Sequence, residues 1–590
     1  MRKFTLLSLL VAAFAVVGVA GATHGTGVEV TVGSDDKTPL QNKQNEPTVA
    51  INPANHNIVA AGANDNIDLE GCNNGTDNTC PFTDGVGVTG VQFSFDGGAT
   101  WTQPTYTGYS ARGCKGVAGP SDNCTPSTFE NQPIGTLPWY REGGLVSDGD
   151  PALVFGPKPD ANGHFSWANG ARLYFTTLTS NFQAVRNEAL KGFEGVAVSR
   201  TDDVVAAAGN DKDAWKKPVI VTKQSSATFS DKEFIYADNA ESSPFFGNVY
   251  ICNASFRSVG GPPEPIVLSR STDGGDTWDT KQITPAANTN LGHGRQGCTV
   301  RTDSGGVVYV FYRGGDTGNK DTPPIVDRAI MMTRSFDGGV KFDTPRPVAK
   351  TNDCGLFDPV QGRLAFDGIA GSRTNIGPTA DIANGNPDGY AQPHNDVIVL
   401  GWCDGPTPST TSPGPNEEAF VQSSTDRGET WSAPVNAAAS SDRPDFPAVA
   451  ISPDGTDVYV TYMNFLQPWQ PRISTPTSER LMQGVVRYSS FPLAFADRYR
   501  GLTGDARGAT ANGLSTEFLG DYNYVWATNS KAVAVWNEVR HAKECPAIDT
   551  WRQSVVDGAP IARPAPGLCP SALPDFFFGN SDIYSAIVSP

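Results

Sequence analysis

The sequence predicts an all-β fold, a β-propeller in which four-stranded blades surround a central channel. Three observations lead to this prediction. The 590 residues include 63 glycines and 45 prolines, which indicates many tight turns and argues against helical bundles and coiled coils. One octapeptide pattern occurs four times along the chain, and short β-rich runs begin at seven places.

The chain begins with a segment typical of an export signal. Arg2 and Lys3 precede an apolar run that ends in Ala20-Gly21-Ala22, a small-residue cleavage pattern. The run is short for a membrane anchor, and no later stretch of 18 apolar residues could span a bilayer. We therefore expect a signal peptide over residues 1–22 and a secreted, extracellular propeller domain over residues 23–590.

Ten cysteines follow the signal segment, an even number that predicts disulfide bonds in an exported protein. They are Cys72, Cys80, Cys114, Cys124, Cys252, Cys298, Cys354, Cys403, Cys545 and Cys569. Pairing neighbours along the chain would give five local bridges, which we favour, although several connectivities remain open. Metal binding by cysteine is disfavoured because the sequence has no C-x-x-C pair and only six scattered histidines.

The repeated octapeptide has the pattern S-x-D-x-G-x-T-W. Three copies are complete and a fourth ends in Phe: Ser94–Trp101, Ser271–Trp278, Ser424–Trp431 and Ser335–Phe342. The aspartate can accept hydrogen bonds from amides of its own turn, glycine can adopt a positive φ, and the aromatic ring can pack between sheets. We interpret each copy as a hairpin turn that stabilises the fold and is not an active site.

A second repeat marks the innermost strand of each blade, where polar residues precede a short apolar run. The seven starts are Glu46–Ile51, Asp150–Phe155, Asp231–Tyr236, Gln296–Arg301, Arg363–Phe366, Asp445–Ile451 and Asp521–Trp526. They predict seven blades, with six as the alternative. The last unit offers only three strands, so we expect Val28–Val32 to supply its fourth strand and to close the ring.

The octapeptide is the Asp-box, and four copies resemble the sialidase (neuraminidase) superfamily and related secreted BNR-repeat proteins. The resemblance implies a glycosidase site with three arginines for a sugar carboxylate, a tyrosine nucleophile paired with a glutamate, and an aspartate as acid/base. The residues available for these roles are Arg295, Arg313 and Arg540 for the carboxylate, Tyr522 and Glu233 for the couple, and Asp150 for the acid/base. The family's F-R-I-P arginine motif is absent, and Asn45-Glu46-Pro47-Thr48 occupies the corresponding strand start.

The alternation of strands places the long insertions and the starts of the innermost strands on the same face of the propeller, opposite the Asp-boxes, and function is expected there. Glu46, Asp445 and Asp521 would meet at the channel mouth on that face. They could bind a structural Ca²⁺ or tie blades together through backbone amides. No cofactor is required.

A net charge of −18 offers no footprint for nucleic-acid phosphates or an anionic membrane. The sequence thus predicts a secreted, monomeric, sialidase-like glycoside hydrolase that acts on extracellular glycans or glycoconjugates, acidic glycans among them. The alternatives are a noncatalytic propeller that binds glycan or protein through loop aromatics, and a polysaccharide lyase. Clustering of the three arginines beside Tyr522 would favour the hydrolase, and their dispersal would favour the binding protein.

Overall fold

The computed structural model describes most of the chain after the predicted signal segment. The described residues are 23–38, 41–72, 83–113, 115–116, 131–183, 185–222, 225–257, 263–286, 296–315, 328–352, 354–358, 363–374, 377–385, 395–405, 417–510, 519–562, 564, 572–573 and 576–590. The predicted signal peptide, Arg295, Cys80, Cys114, Cys124 and Cys569 lie outside them. Among the described residues, no helix has the length and apolar character needed to cross a membrane.

Seven antiparallel blades form a β-propeller, which confirms the predicted fold class and number of blades. The innermost strands, from blade one to blade seven, are Gln44–Ile51, Leu145–Pro159, Phe229–Ala237, Gln296–Thr302, Thr379–Ile382, Pro444–Ile451 and Tyr524–Ala527. The second strands are Val59–Asp65, Phe165–Asn181, Val249–Phe256, Val308–Gly315, Ile398–Asp404, Asp457–Phe465 and Ala532–Glu538.

The third strands are Thr89–Ser94, Gly195–Thr201, Ile266–Ser271, Arg328–Ser335, Glu418–Ser424, Leu481–Ser490 and Asp582–Val588. The outermost strands of blades two to seven are Trp215–Ile220, Asp279–Gln282, Arg346–Thr351, Val435–Asn436, Ala496–Arg500 and Val28–Glu29. In blade one the outer position is a single bridge between Phe93 and Thr102. Faces of neighbouring blades pack together, and rings such as Tyr174, Tyr250 and Trp536 are fully buried between them.

Smaller elements decorate this ring. The helices are Val204–Ala208, Ala506–Thr510 and Pro546–Val556, and the 3₁₀ turns are Asn66–Asp68, Arg141–Gly143 and Lys212–Ala214. The additional short strands are Thr23–His24, Gly71–Cys72, Tyr106–Gly108, Lys115–Gly116, Gln132–Ile134, Leu356–Asp358, Arg363–Ala365, Gly504–Asp505, Ala542–Lys543, Ala572–Leu573 and Phe576–Phe578.

The N-terminal strand closes the ring as predicted. Val28 pairs with Ser585 and Glu29 with Tyr584, so a strand near the N-terminus becomes the outermost strand of the last blade. The pairing covers an edge that would otherwise expose unpaired backbone groups.

The Asp-boxes occupy turns that follow third strands, on the face away from the starts of the innermost strands. In the first copy, Asp96 Oδ1 accepts a hydrogen bond of 2.8 Å from the Thr100 amide, and its Oδ2 accepts one of 2.6 Å from the Thr100 hydroxyl. Gly97 and Gly98 have φ values of 77° and 102°, a backbone conformation that glycine adopts readily. These contacts agree with the hairpin-turn interpretation.

One predicted strand start is wrong. Arg363–Ala365 pairs with Leu356–Asp358 in a separate two-stranded hairpin, and the innermost strand of blade five is Thr379–Ile382. The hairpin belongs to the connection between blades four and five, where the sequence offers a second β-rich run. Gly377-Pro378 immediately precedes the true strand, at the place where Glu46-Pro47 and Asp150-Pro151 begin blades one and two.

Two of the five predicted disulfides lie within the described residues, and both are confirmed. Cys252–Cys298 joins the second strand of blade three to the innermost strand of blade four, and Cys354–Cys403 joins the blade four to five connection to the second strand of blade five. Cys545 is also disulfide-bonded. The bridges therefore connect consecutive units and do more than close loops.

Candidate active site

Innermost strands begin with a β-bulge, in which two consecutive residues have no partner on the second strand of the blade. The skipped pairs recorded in five blades lie between Asn45 and Thr48, Gly149 and Ala152, Asp231 and Phe234, Gln296 and Thr299, and Asp445 and Ala448. The first skipped residue has a positive φ in each, with values of 55° at Glu46, 51° at Asp150, 54° at Lys232, 61° at Gly297 and 49° at Phe446. Non-glycine residues in this conformation are strained, and such strain is concentrated at functional sites.

Lys232 is the centre of a buried ion-pair network at the channel mouth. Its Nζ lies 3.2 Å from Glu46 Oε1, 3.2 Å from Asp150 Oδ2 and 2.6 Å from Asp521 Oδ2. Arg373 adds a second cation, with its Nη1 3.0 Å from the same Asp521 oxygen. Blades one, two, three and seven are thereby joined through one ammonium group.

This network sets the charge of its members. Burial would lower the pKa of Lys232, but the carboxylates of Asp150, Asp521 and Glu46 outweigh it and hold the pKa well above its usual value. Burial would raise the pKa of Asp150, but Lys232 and a hydrogen bond with Glu46 bring it below its usual value. Burial, followed by the charge of Asp150, raises the pKa of Glu46. The network therefore favours ionisation of Asp150 and disfavours ionisation of Glu46.

A cavity of about 80 Å³ lies beside this network. Tyr522, Glu233 and Asp150, the three predicted catalytic residues, all line it, together with Lys232 and Cys298. The Cys252–Cys298 disulfide holds the wall that blade four contributes. The chain thus brings the three predicted catalytic side chains to one cavity.

Glu233 differs from its acidic neighbours because neither of its carboxylate oxygens has a hydrogen-bond partner, and its exposed fraction is only 6%. Burial, followed by the negative charge of Asp150, raises its pKa well above the usual value. The pKa values of two carboxyl groups on one cavity are therefore displaced in opposite directions, that of Glu233 toward the protonated form and that of Asp150 toward the ionised form.

Tyr522 is half-buried, and its hydroxyl lies 3.4 Å from the carbonyl oxygen of Pro151, to which it donates. Burial, followed by the charges of Glu46, Asp150 and Glu233, raises the pKa of its phenol well above the usual value. The Lys232 Nζ lies 5.1 Å from the centre of the ring. The phenol is therefore held in its protonated form.

The two described arginines of the predicted triad do not line this cavity. Arg313 lies near the end of the second strand of blade four, where its charge acts on Asp404. Arg540 donates to Glu538 over 2.9 Å and packs 3.8 Å from the centre of the Tyr584 ring, on blade seven. Arg295 lies outside the described residues.

Sequence reasoning missed Arg373, the arginine that does reach the network. Arg373 precedes blade five in a segment that the wrong strand start had placed inside the blade. The Gly377-Pro378 pair, which resembles the starts of blades one and two, was the signal that could have corrected it.

The predicted calcium ligands are only partly suited to an ion. Glu46 and Asp521 both contact the Lys232 ammonium, so a cation already lies between them. Asp445 Oδ1 accepts a hydrogen bond of 3.0 Å from the Phe446 amide, and burial raises its pKa well above the usual value. The Lys232 ammonium thus already lies between two of the three predicted ligands, and a Ca²⁺ site at this position stays a prediction.

A much larger groove of about 980 Å³ lies at blades one and two. Arg141 and Arg186 lie 4.2 Å and 3.9 Å from the ring centres of Phe182 and Phe193 on its wall. Asp148, whose pKa burial raises to about 6, and Glu194 also line it. After burial, Asp148, Asp231 and Asp150 raise the pKa of Glu194, so the acidic lining of the groove is electrostatically coupled to the cavity.

Comparison with known proteins gives a likeness in fold. No model of a protein family and no curated protein matches the sequence. An α-L-arabinofuranosidase from Fusarium graminearum is 12% identical over 76% of this chain and 94% of its own, with a TM-score of 0.39. A leech intramolecular trans-sialidase is 13% identical over 74% and 67%, with a TM-score of 0.40. A Hadza microbial sialidase is 14% identical over 71% and 63%, with a TM-score of 0.35. No residue role is transferred from these structures.

Proposed function

We propose that the protein is a secreted glycoside hydrolase that acts on extracellular glycans. The observation that carries this proposal is the pair of carboxyl groups on the channel-mouth cavity, Glu233 and Asp150, whose pKa values are displaced in opposite directions. Glycoside hydrolysis commonly requires such a pair, one group protonated and the other ionised.

Glu233 is the general acid in this proposal. Burial and the charge of Asp150 favour retention of its proton, which passes to the glycosidic oxygen as the bond to the leaving group breaks. Asp150 stabilises the developing positive charge on the sugar and acts as base or nucleophile on its other face. Lys232 keeps Asp150 ionised and orients it.

The lining of the groove indicates which class of substrate the protein binds. Rings such as Phe182 and Phe193 offer apolar faces on which sugars can stack, and Arg141 and Arg186 offer guanidinium groups that suit a carboxylate. A groove of about 980 Å³ has room for several sugar units, whereas the cavity of about 80 Å³ has room only for the reacting groups. We therefore propose an acidic glycan as the substrate.

Sialidase-type chemistry is the second candidate because Tyr522 lines the same cavity as Glu233 and Asp150. It would require the phenol of Tyr522 to lose its proton to Glu233 during attack. The raised pKa values of both groups oppose this transfer in the substrate-free protein. Arg313 and Arg540 also lie away from the cavity, which favours the two-carboxyl mechanism.

The noncatalytic alternative depended on aromatic side chains in the loops. Several of these are buried: Tyr140 is 4% exposed, Phe577 6% and Phe578 0%. Trp139 is half-buried, and its indole donates to the Lys212 carbonyl over 2.9 Å. The loop tryptophans Trp469 and Trp551 are half-buried, so some aromatic surface remains and the binding propeller stays the alternative.

The test is hydrolysis of chromogenic uronides, sialosides and arabinosides by the purified mature chain. Glu233→Gln should lower kcat by about 10² to 10⁴-fold on a substrate whose leaving group needs protonation, with the melting temperature preserved. Asp445→Asn is the matched control, because Asp445 is a buried acid at the start of blade six that does not line the cavity. It should retain activity.

Tyr522→Phe separates the two mechanisms. We expect it to retain most of the activity, whereas loss by orders of magnitude would establish tyrosine as the nucleophile and replace the two-carboxyl mechanism. If no glycoside is cleaved while a glycan array still reports binding, the hydrolase proposal fails and the binding propeller takes its place.

A further inference from the structure

A second group of acidic residues lies far from the channel, where the N-terminal segment meets blade seven. Glu29 ends the outermost strand of the blade, Asp36 follows in the next loop, and Asp582 begins the third strand. One carboxylate oxygen from each residue lies within 4.8 Å of the oxygens of the other two. The three side chains thus converge from two segments at opposite ends of the chain.

The convergence leaves buried polar groups without partners. Asp582 is 2% exposed, and its Oδ1 has no hydrogen-bond partner. Asn580 is completely buried beside Asp582, whose pKa its side chain lowers as a hydrogen-bond partner, while the Asn580 Oδ1 has no partner. A buried amide oxygen and a buried carboxylate oxygen that remain unpaired are costly, which points to a ligand that the protein's own groups do not supply.

No nearby basic side chain of the described segments lies between the three carboxylates. Arg540 and Lys37 contribute favourable charge to Glu29 and Asp36, as His541 does to Asp36 when protonated. The Arg540 guanidinium, however, donates to Glu538, and the Lys37 ammonium lies over the Phe577 ring at 5.7 Å. Within the described part of the chain, no ion pair shorter than 4.0 Å reaches Glu29, Asp36 or Asp582.

We propose that Glu29, Asp36 and Asp582 bind one Ca²⁺, with the amide oxygen of Asn580 as a further ligand. Carboxylate and amide oxygens are the donors that Ca²⁺ prefers, and an irregular set drawn from a loop and two strands suits its flexible coordination. Extracellular modules of this kind bind Ca²⁺ with dissociation constants of about 10⁻⁴ to 10⁻³ M.

Such an ion would stabilise the strand pairing that closes the propeller. Glu29 is the last residue of the strand that closes blade seven, Asp36 lies in the loop after it, and Asp582 belongs to the strand that it pairs with. Because the complete ligand set exists only when the two ends of the chain are folded together, the ion binds the folded state and stabilises the closed propeller by mass action even when its affinity is weak.

The test measures Ca²⁺ binding by equilibrium dialysis and thermal unfolding in EGTA and in 10 mM CaCl₂, with the mature chain. We expect one Ca²⁺ per chain at this site and a higher melting temperature with Ca²⁺. Asp36→Asn should weaken binding by about tenfold or more and remove most of the thermal shift, because the ligand set loses one of its three charges. The melting temperature in EGTA should not fall, since the Asp36 side chain makes no hydrogen bond to any of the residues that the structure describes.

Glu188→Gln is the matched control, because it removes one exposed carboxylate from blade two. It should bind Ca²⁺ as the parent chain does. The proposal is overturned if the parent chain binds no Ca²⁺ at 10 mM, or if Asp36→Asn and Asp582→Asn both retain the parent affinity. Loss of binding in Asp521→Asn with full binding in Asp36→Asn would move the ion to the channel mouth and equally overturn it.

Discussion

Lys232 gives the clearest example of a residue whose importance depends on its backbone conformation. Sequence reasoning identified the carboxylates at the starts of the innermost strands and brought Glu46, Asp150 and Asp521 together correctly. It assigned no role to the lysine among them. The positive φ of 54° in the bulge accompanies the placement of Lys232 among these acids, and this conformation cannot be predicted from the polar–apolar alternation of a strand.

Replacement of Lys232 tests this arrangement. Lys232→Met leaves Glu46, Asp150 and Asp521 buried without their shared cation, and we expect the free energy of unfolding to fall by about 3–5 kcal/mol. Urea unfolding monitored by tryptophan fluorescence would measure the loss. Lys158→Met is the control, because Lys158 is 36% exposed and lies 4.0 Å from Asp202. Equal stability of the two variants would contradict a central role for Lys232.

At the level of single elements, the Asp-box turns and the final blade were predictable because their signals are local. The octapeptide contains every group that its turn needs. Counting the strands of the last unit showed that its fourth strand had to come from elsewhere in the chain. Blade five was misplaced because Arg363–Ala365 forms a real strand in a connection, and local β propensity does not distinguish a blade from a decorating hairpin. Arg313 and Arg540 were grouped from strand ends, which predict a face of the propeller but no distance across it, and the predicted triad with Arg295 stays a prediction.

The four Asp-boxes are not equivalent, although their sequences are similar. Trp101 is 7% exposed and donates from its indole to Ser585 of blade seven over 3.0 Å, whereas Trp278 is half-buried and donates to Gly275 of its own turn. Trp101→Ala should therefore cost about 3–5 kcal/mol of unfolding free energy, and Trp278→Ala clearly less. Chemical denaturation of both variants decides the order, and a larger loss for Trp278→Ala would refute this account.

Across the whole molecule, many buried acids bias stability toward mildly acidic pH. Burial raises the pKa of Asp238 to about 7 and that of Asp549 to about 8, from about 3.8 in an unfolded chain. Each prefers its protonated form when folded, so its contribution is complete below pH 3.8 and is lost as pH rises through the folded pKa. The exposed Asp-box acids act in the opposite direction, with pKa values of about 2 at Asp96 and Asp426.

Thermal unfolding between pH 5 and 8 tests this balance. We expect the melting temperature to fall as pH rises across this window, because the folded state binds more protons than the unfolded state. Asp238→Asn and Asp549→Asn combined should flatten the dependence. A melting temperature that increases from pH 5 to pH 8 would show that the buried acids are ionised in the folded protein.

Closure of the ring by Val28–Glu29 on Asp582–Val588 has a consequence for the order of folding. Val28–Glu29 cannot pair until Asp582–Val588 has been synthesised. Blades one to six can therefore form while the strands of blade seven still have unpaired edges. The two paired strands are separated by almost the full length of the chain, so the loss of loop-closure entropy on pairing them is large. We therefore expect completion of blade seven to be a slow folding step. A circular permutant that starts between two other blades would make this seam local, and it should refold faster than the natural chain.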